Sequence, residues 1–249
     1  MFANEKVLNL HFLDYCNFRC THCFVKREGR SLSFDECKKI VDHPFIKKNF
    51  TRINLAGGEP LLSPFLQDLI DYIVDNGYCC SLITNGSLLT VPFIERNKNK
   101  LAMIGISVDS LNVETLHFIG RKPLPNLEKI CLAIKENNIK LKINICISKL
   151  NASEDFTKII MLTKPDRLKL LQIVSTPHSP SSYDQVISRR EFFNICEKLA
   201  QFAPICEDND YMQQAYWIVD SEGCFSKNNL HAKIHTVNLL TSNHIVFDK

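Results

Sequence analysis

The chain reads as an α/β protein built on a parallel sheet, and three observations say so. Short β-like runs alternate with helical stretches along most of its 249 residues, with no repeat or low-complexity segment between them. That alternation implies βα units. An apolar content of 45% suffices for a buried core, and the length suits one α/β barrel or two small domains.

The elements follow in order. The first strand, Val7–Leu13, sets Leu8, Leu10 and Phe12 on one face against Asn9 and His11 on the other. A helix over Ser33–Val41 leads to a strand at Arg52–Ala56, where Ile53 and Leu55 oppose Arg52, Asn54 and Ala56. A helix at Pro64–Asn76 precedes a strand at Cys79–Thr84, and a short helix at Pro92–Asn97 precedes one at Met103–Val108. There Ile104, Ile106 and Val108 oppose Gly105, Ser107 and Asp109. A helix at Asn126–Asn137 comes before the strand Lys140–Ile147, whose Leu141, Ile143, Ile145 and Ile147 oppose Lys142, Asn144 and Cys146. A helix at Ala152–Leu162 precedes Leu168–Val174, flanked by Arg167. Ser175–Tyr183, with its prolines and serines, reads as a loop, Ser188–Phe202 as a helix and Tyr216–Val219 as a seventh strand.

Strands of an ordinary parallel barrel are apolar on both faces. These alternate, so the apolar face is expected under the helices and the polar face inside. Arg52, Lys142, Arg167 and Lys169 then share the interior. Buried cations require acidic partners or an anionic ligand. Asp14 and Asp109 are the nearby acids and too few, so a polyanion such as a triphosphate is expected. Strand-end positions facing solvent are the plain alternative for each single cation.

A formal charge of +3 is too slight to indicate nucleic-acid binding. No run is apolar over a membrane-spanning length, and no signal peptide is evident. An odd count of eleven cysteines without such a signal argues against a disulfide scaffold and for a reducing, cytoplasmic setting. Most of these thiols sit in apolar runs and read as core. Cys196, Cys206 and Cys224 are spaced widely and lack tight pairs, which makes a second metal cluster the lesser reading.

Cys16, Cys20 and Cys23 stand apart, in a CxxxCxxC run just after the first strand. Three thiolates can hold three irons of a [4Fe–4S] cube and leave the fourth open to a small molecule. A zinc site is the alternative; it needs a fourth ligand, for which only His22 lies within the motif. Gly57-Gly58-Glu59-Pro60 follows the second strand, where glycines allow close backbone approach, and Thr84-Asn85-Gly86-Ser87 follows the third. On composition alone either could be a simple turn.

Together these motifs resemble the radical S-adenosylmethionine (SAM) superfamily, and within it the viperin family, most of all its prokaryotic members. The matching text includes Asn9-Leu-His-Phe12, the cysteine run with Phe24, Ile53 through Pro60, Thr84 through Leu88, Ile106 through Ser110, Ile119-Gly-Arg121, Lys142-Ile-Asn144 and Arg167 through Gln172. It spans about residues 7–174. The resemblance implies a partial (β/α)6 TIM-type barrel with a short C-terminal extension. Residues 1–174 would form the core, and 175–249 would complete the barrel and the nucleotide pocket. It implies a [4Fe–4S] cluster on Cys16, Cys20 and Cys23, and SAM held by Phe24, Gly57, Gly58, Glu59, Thr84, Asn85, Ser107 and Arg121. It also implies a nucleoside triphosphate bound by Asn9, Arg52, Lys142, Asn144, Arg167, Lys169 and Lys233. A surface role for Arg121 is the plain alternative.

The implied activity is synthesis of a 3′-deoxy-3′,4′-didehydro-nucleoside triphosphate. The ribose 4′ hydrogen is abstracted, the 3′-hydroxyl leaves as water, and a flavodoxin or ferredoxin supplies electrons. CTP is the expected substrate, with UTP or GTP as alternatives, and antiviral, anti-phage defence is the implied role. No membrane or nucleic-acid partner is expected. The chain departs from the animal proteins in lacking their membrane-binding helix, in Ala56 for a serine, and in a shorter C-terminal region. There the family's tyrosine falls on Glu222. A radical SAM enzyme modifying a peptide or protein is the alternative function, and an iron–sulfur or nucleotide sensor a further one.

Overall fold

The computed structural model describes residues 6–213, 215–227 and 237–242. The expected Lys233 lies outside them.

In chain order the elements are β1 (Val7–His11), α1 (Phe34–Asp42), α2 (Pro44–Asn49), β2 (Arg52–Ala56), α3 (Leu66–Asp75), β3 (Cys79–Thr84) and α4 (Val91–Arg96). Then come β4 (Leu101–Ser107), α5 (Val113–Ile119), α6 (Leu127–Glu136), β5 (Lys140–Ile147), α7 (Thr157–Thr163) and β6 (Arg167–Gln172). The last part holds α8 (Arg189–Lys198), β7 (Ile205–Glu207), α9 (Asn209–Met212), β8 (Trp217–Val219), β9 (Cys224–Lys227) and β10 (Val237–Asn238). The described strands form one sheet in the order β10-β9-β8-β1-β2-β3-β4-β5-β6-β7. Neighbours from β8 through β1 to β7 are parallel, as the βα alternation requires; β9 and β10 add antiparallel pairs. This is the partial parallel barrel of the expected class.

The strand expected at Tyr216–Val219 is present as β8, Trp217–Val219, and it pairs with β1. The position beside β6 is taken by Ile205–Glu207, a strand the sequence reading did not include.

Local chemistry accounts for the helix ends. Ser33 accepts from the Glu36 amide while Glu36 reaches back to the Ser33 amide, and Ser188 and Glu191 repeat the arrangement on α8. Ala152 and the residues after it form turns, so α7 starts only at Thr157 and not at Ala152. The expected long helix Ser188–Phe202 breaks after Lys198 into a separate turn of 3₁₀ helix, Ala200–Phe202.

The face assignment places the core between sheet and helices. Leu8, Leu10, Ile53, Leu55, Ile104, Ile143 and Leu170 are all buried in one apolar cluster with Ile40, Leu69, Ile70 and Ile134 of the helices. The other face is polar and hydrogen-bonded across strands. Ser81 donates to Asn54, Asn54 to Asn9, and Asn9 to the Trp217 carbonyl. These bonds bind β3, β2, β1 and β8 together from inside the lumen and satisfy groups that would be costly to bury unpaired. Among the described residues no helix is long and apolar enough to cross a membrane.

Candidate active site

The cysteine loop leaves the C-terminal end of β1, where ligands of parallel barrels bind. Neighbouring backbones pin it on two sides. The Arg19 amide donates to the Gly120 carbonyl at 3.0 Å and the Thr21 amide to Ile119 at 2.8 Å, bracketing Cys20. The Gly58 and Glu59 amides donate to Leu13 and Tyr15 at 2.8 and 2.9 Å, just ahead of Cys16. This contact explains the glycine pair. A Cβ on Gly58 would lie 1.8 Å from the Tyr15 carbonyl oxygen, and one on Gly57 2.3 Å from that of Leu13. Gly57 also holds φ at +132°, where side chains are strained. In this chain the glycines therefore admit the cysteine loop's own backbone. Gly58→Ala is expected to lower stability by about 3 kcal/mol or more and to cut iron loading. Thermal denaturation and iron content check both, and an iron-replete variant of unchanged Tm would refute this account.

Glu59 is fully buried. Its carboxylate accepts from the Leu61 amide at 3.1 Å, the Thr84 hydroxyl at 2.7 Å and the Asn85 amide at 2.7 Å. Burial pushes its pKa up, and those three donors pull against it. Glu59 thus fixes the Thr84-Asn85 turn. Asn85 in turn donates to Asn17 at 2.8 Å and lies 3.6 Å from the Cys16 sulfur. Asn85, Ser107 and Arg121 line one cavity with Phe18 and Leu124. Phe24 is more than half exposed, its ring centroid 5.7 Å from that of His11.

Arg121 lies in the wall of this cavity with its side chain 9% exposed, not on the open surface. Its Nε lies 2.6 Å from Asp109, and its Nη1 donates to the Ser107 carbonyl at 3.1 Å. Burial alone would raise Asp109; Arg121, His22 and the Cys146 amide outweigh that and hold it down to about 2. Asp109 is therefore a fixed anion engaged by Arg121 and by His22, whose Nε2 is 3.4 Å away.

The donor set fits a cluster and not a single zinc ion. A zinc ion holds thiolates about 2.3 Å from itself, so their sulfurs would stand about 3.8 Å apart. Among the described residues Cys16, Cys20 and Cys23 do not form a group with ligand atoms inside 4.8 Å of one another, and His22 faces Asp109. All three cysteines are free thiols, each partly exposed. Among the described residues Cys196, Cys206 and Cys224 likewise form no group of ligand atoms within 4.8 Å of one another; all three are free thiols, and Cys224 takes a hydrogen bond from Asn238.

The lumen cations stand apart from the cysteine loop. Lys142 pairs in register with Arg167, and Asn144 with Lys169. Gly105 lies beside them; a Cβ there would clash with Ile83 Cδ1 at 2.4 Å and make only ordinary contact with Asn144 and Lys142, at 3.5 and 3.6 Å. Arg52 is buried on the face of Asn54. The expectation that Asp14 neutralises this face is corrected, because Asp14 accepts from the Arg30 amide and Ser221 instead. The lumen acid is Glu207 of the missed strand β7, 2.6 Å from the Lys169 ammonium. Among the described residues Lys142 and Arg167 have no carboxylate or hydrogen-bond partner, and the Asn144 side-chain oxygen is likewise unmatched. Burial first, then Lys169 and Arg167, bring the Lys142 pKa down to about 7, with Glu207 opposing.

Fold and thiol loop define a radical SAM enzyme, one that binds a [4Fe–4S] cluster and SAM. The Radical SAM superfamily model matches residues 10–162. Over 95% of its length the chain superposes on Streptococcus suis SuiB bound to precursor peptide SuiA, with a TM-score of 0.77 at 14% identity, covering 63% of that chain. It superposes on anSMEcpe with bound AdoMet with a TM-score of 0.70 at 15% identity, covering 95% of this chain and 78% of that one. At such identities these likenesses show the fold alone. The sequence goes further. A Selenomonas ruminantium S-adenosylmethionine-dependent nucleotide dehydratase is 32% identical over 230 residues, covering 87% of this chain and 84% of the relative. A Flammeovirga pacifica protein of the same description is 30% identical, with 89% and 82% covered, and a Danio rerio one 28%, with 88% and 66%. The chain belongs to this viperin-like family of nucleotide dehydratases.

Proposed function

We propose that the protein dehydrates a ribonucleoside triphosphate to its 3′-deoxy-3′,4′-didehydro form, with CTP preferred and UTP or GTP as alternatives. The observation that carries this reading is the pair Lys142 and Arg167, set side by side in a barrel lumen with no carboxylate paired to either among the described residues. Cations so placed call for a polyanion. Together with Arg52 and Lys169 they would receive phosphate oxygens, each charge-assisted bond contributing about 1.5–3 kcal/mol. Asn9 and Asn144, on the same inner face of the sheet, would orient the ribose.

When bound, the cluster and SAM would supply the hydrogen-atom abstraction chemistry directed at the ribose 4′ position. The chain's part is placement. Cys16, Cys20 and Cys23 would hold the cluster, and Phe24, the Gly57-Gly58 backbone, Thr84, Asn85, Ser107 and Arg121 would surround SAM, with Glu59 bracing the turn. Anchoring the triphosphate fixes the 4′ carbon relative to that site, and such placement lowers a barrier by about 7–11 kcal/mol at best. Electrons would come from a flavodoxin or ferredoxin in the cytoplasm, and the product would serve anti-phage defence as a terminator of viral RNA synthesis.

The test incubates the reconstituted enzyme with SAM, a reductant and each of the four ribonucleoside triphosphates. SAM cleavage to 5′-deoxyadenosine should rise with one of them, accompanied by a nucleotide product lighter by one water. Cleavage indifferent to all four would refute the reading.

A further inference from the structure

Placing phosphate on the lumen cations leaves Glu207 without a role, because a carboxylate there repels the substrate. Glu207 is 5% exposed and Lys169 6%. One carboxylate oxygen is 2.6 Å from the Lys169 ammonium, and the other accepts from the Tyr216 hydroxyl. Tyr216 also bonds the same ammonium, which lies 4.7 Å from its ring centroid. The three residues come from β6, from β7 and from the position just before β8. In the sheet order β7 follows β6 at one side while β8 lies beyond β1, so no ladder joins them. The triad bridges that seam with side chains.

A buried ion pair is a poor stabiliser compared with apolar residues of the same volume. Its contribution here is geometric. A free lysine ammonium sweeps many rotamers; one gripped by Glu207 and Tyr216 is set before phosphate arrives. The same grip makes phosphate compete with a carboxylate. We propose that Glu207 is the positioning residue of the phosphate cradle: it holds Lys169 across the β7–β8 seam and gives up affinity for placement. The inference rests on the nucleotide reading above.

The test is calorimetric titration of cluster-loaded protein, under anaerobic conditions, with CTP and with inorganic triphosphate. Glu207→Gln should bind both about tenfold more tightly, since a like-charge contact is removed. In turnover it should lower KM and kcat together. The rise in Tm produced by CTP should be larger than in the parent, whereas a merely structural glutamate would lower Tm alike with and without CTP. Lys169→Gln should weaken binding, and adding Glu207→Gln to it should restore part of the loss, a comparison that holds even if Glu207→Gln alone folds poorly. Unchanged or weaker binding by Glu207→Gln, or no recovery in the double variant, overturns the proposal. A parent protein that binds inorganic triphosphate but no nucleotide overturns the nucleotide reading and leaves the role of Glu207 to be decided by triphosphate. One that binds neither overturns both.

Discussion

Cys20→Ala is expected to abolish iron and sulfide loading and SAM cleavage together while the fold survives. The backbone around Cys20 is held by its neighbours' amides, Arg19 to Gly120 and Thr21 to Ile119, and the Cys23 amide bonds the Cys20 carbonyl at 3.2 Å. None of these bonds uses the thiol, so shortening the side chain leaves the loop in place. What is lost is one corner of a three-point mount. Burial pushes the Cys20 thiol up to about 11, against the pull of Arg121, and a bound metal would favour its thiolate. Iron and sulfide content, 5′-deoxyadenosine release and circular dichroism measure the three parts of the expectation. Cys37→Ala is the matched control, because Cys37 is a fully buried core thiol of α1. It should leave the iron content unchanged. A Cys20→Ala protein with full iron content and SAM cleavage would remove the cluster assignment.

Much of this site was legible because parallel strands with one polar face carry a readable period. Asn9, Asn54, Lys142, Asn144 and Lys169 could each be set on the inner face from alternation alone. Glu207 could not. Its strand is three residues long, between Pro204 and a run of polar residues, too short for any period to show. Its partner Tyr216 lies on no regular element, and only the sheet's closure brings the two together. The missed helices α2 and α5 are similarly short, though their caps were visible. Pro44 follows a capping His43, and Asn112 caps Val113 before Gly120 ends the helix in left-handed geometry. The glycine pair shows its conformational freedom in the sequence, but its neighbour is a backbone that the sequence does not place beside it.

Nucleotide binding should weaken as pH rises through about 7, the point to which burial, Lys169 and Arg167 bring Lys142. The sign follows from which state holds the proton. Phosphate favours the ammonium form, so binding above that pH must take up a proton, and affinity falls with each further step of pH. Below it Lys142 is already charged and the dependence flattens. Folding of the ligand-free chain runs the other way. An unfolded lysine keeps its proton to about pH 10.4, whereas the folded one has released it above about 7. The unfolded state then binds more protons, and stability rises with pH between those two values. Lys142→Ala should remove this component from both curves. Lys142→Ala combined with Lys169→Ala should also raise the dissociation constant for CTP by about two orders of magnitude or more, the loss of two charge-assisted contacts. Iron content should not change, since neither lysine touches the cysteine loop. Titrations of CTP between pH 6 and 9, with iron assays alongside, decide the matter. Binding that is flat with pH in the parent would detach Lys142 from the phosphate. Undiminished turnover of the double variant at low nucleotide would sink the triphosphate cradle itself.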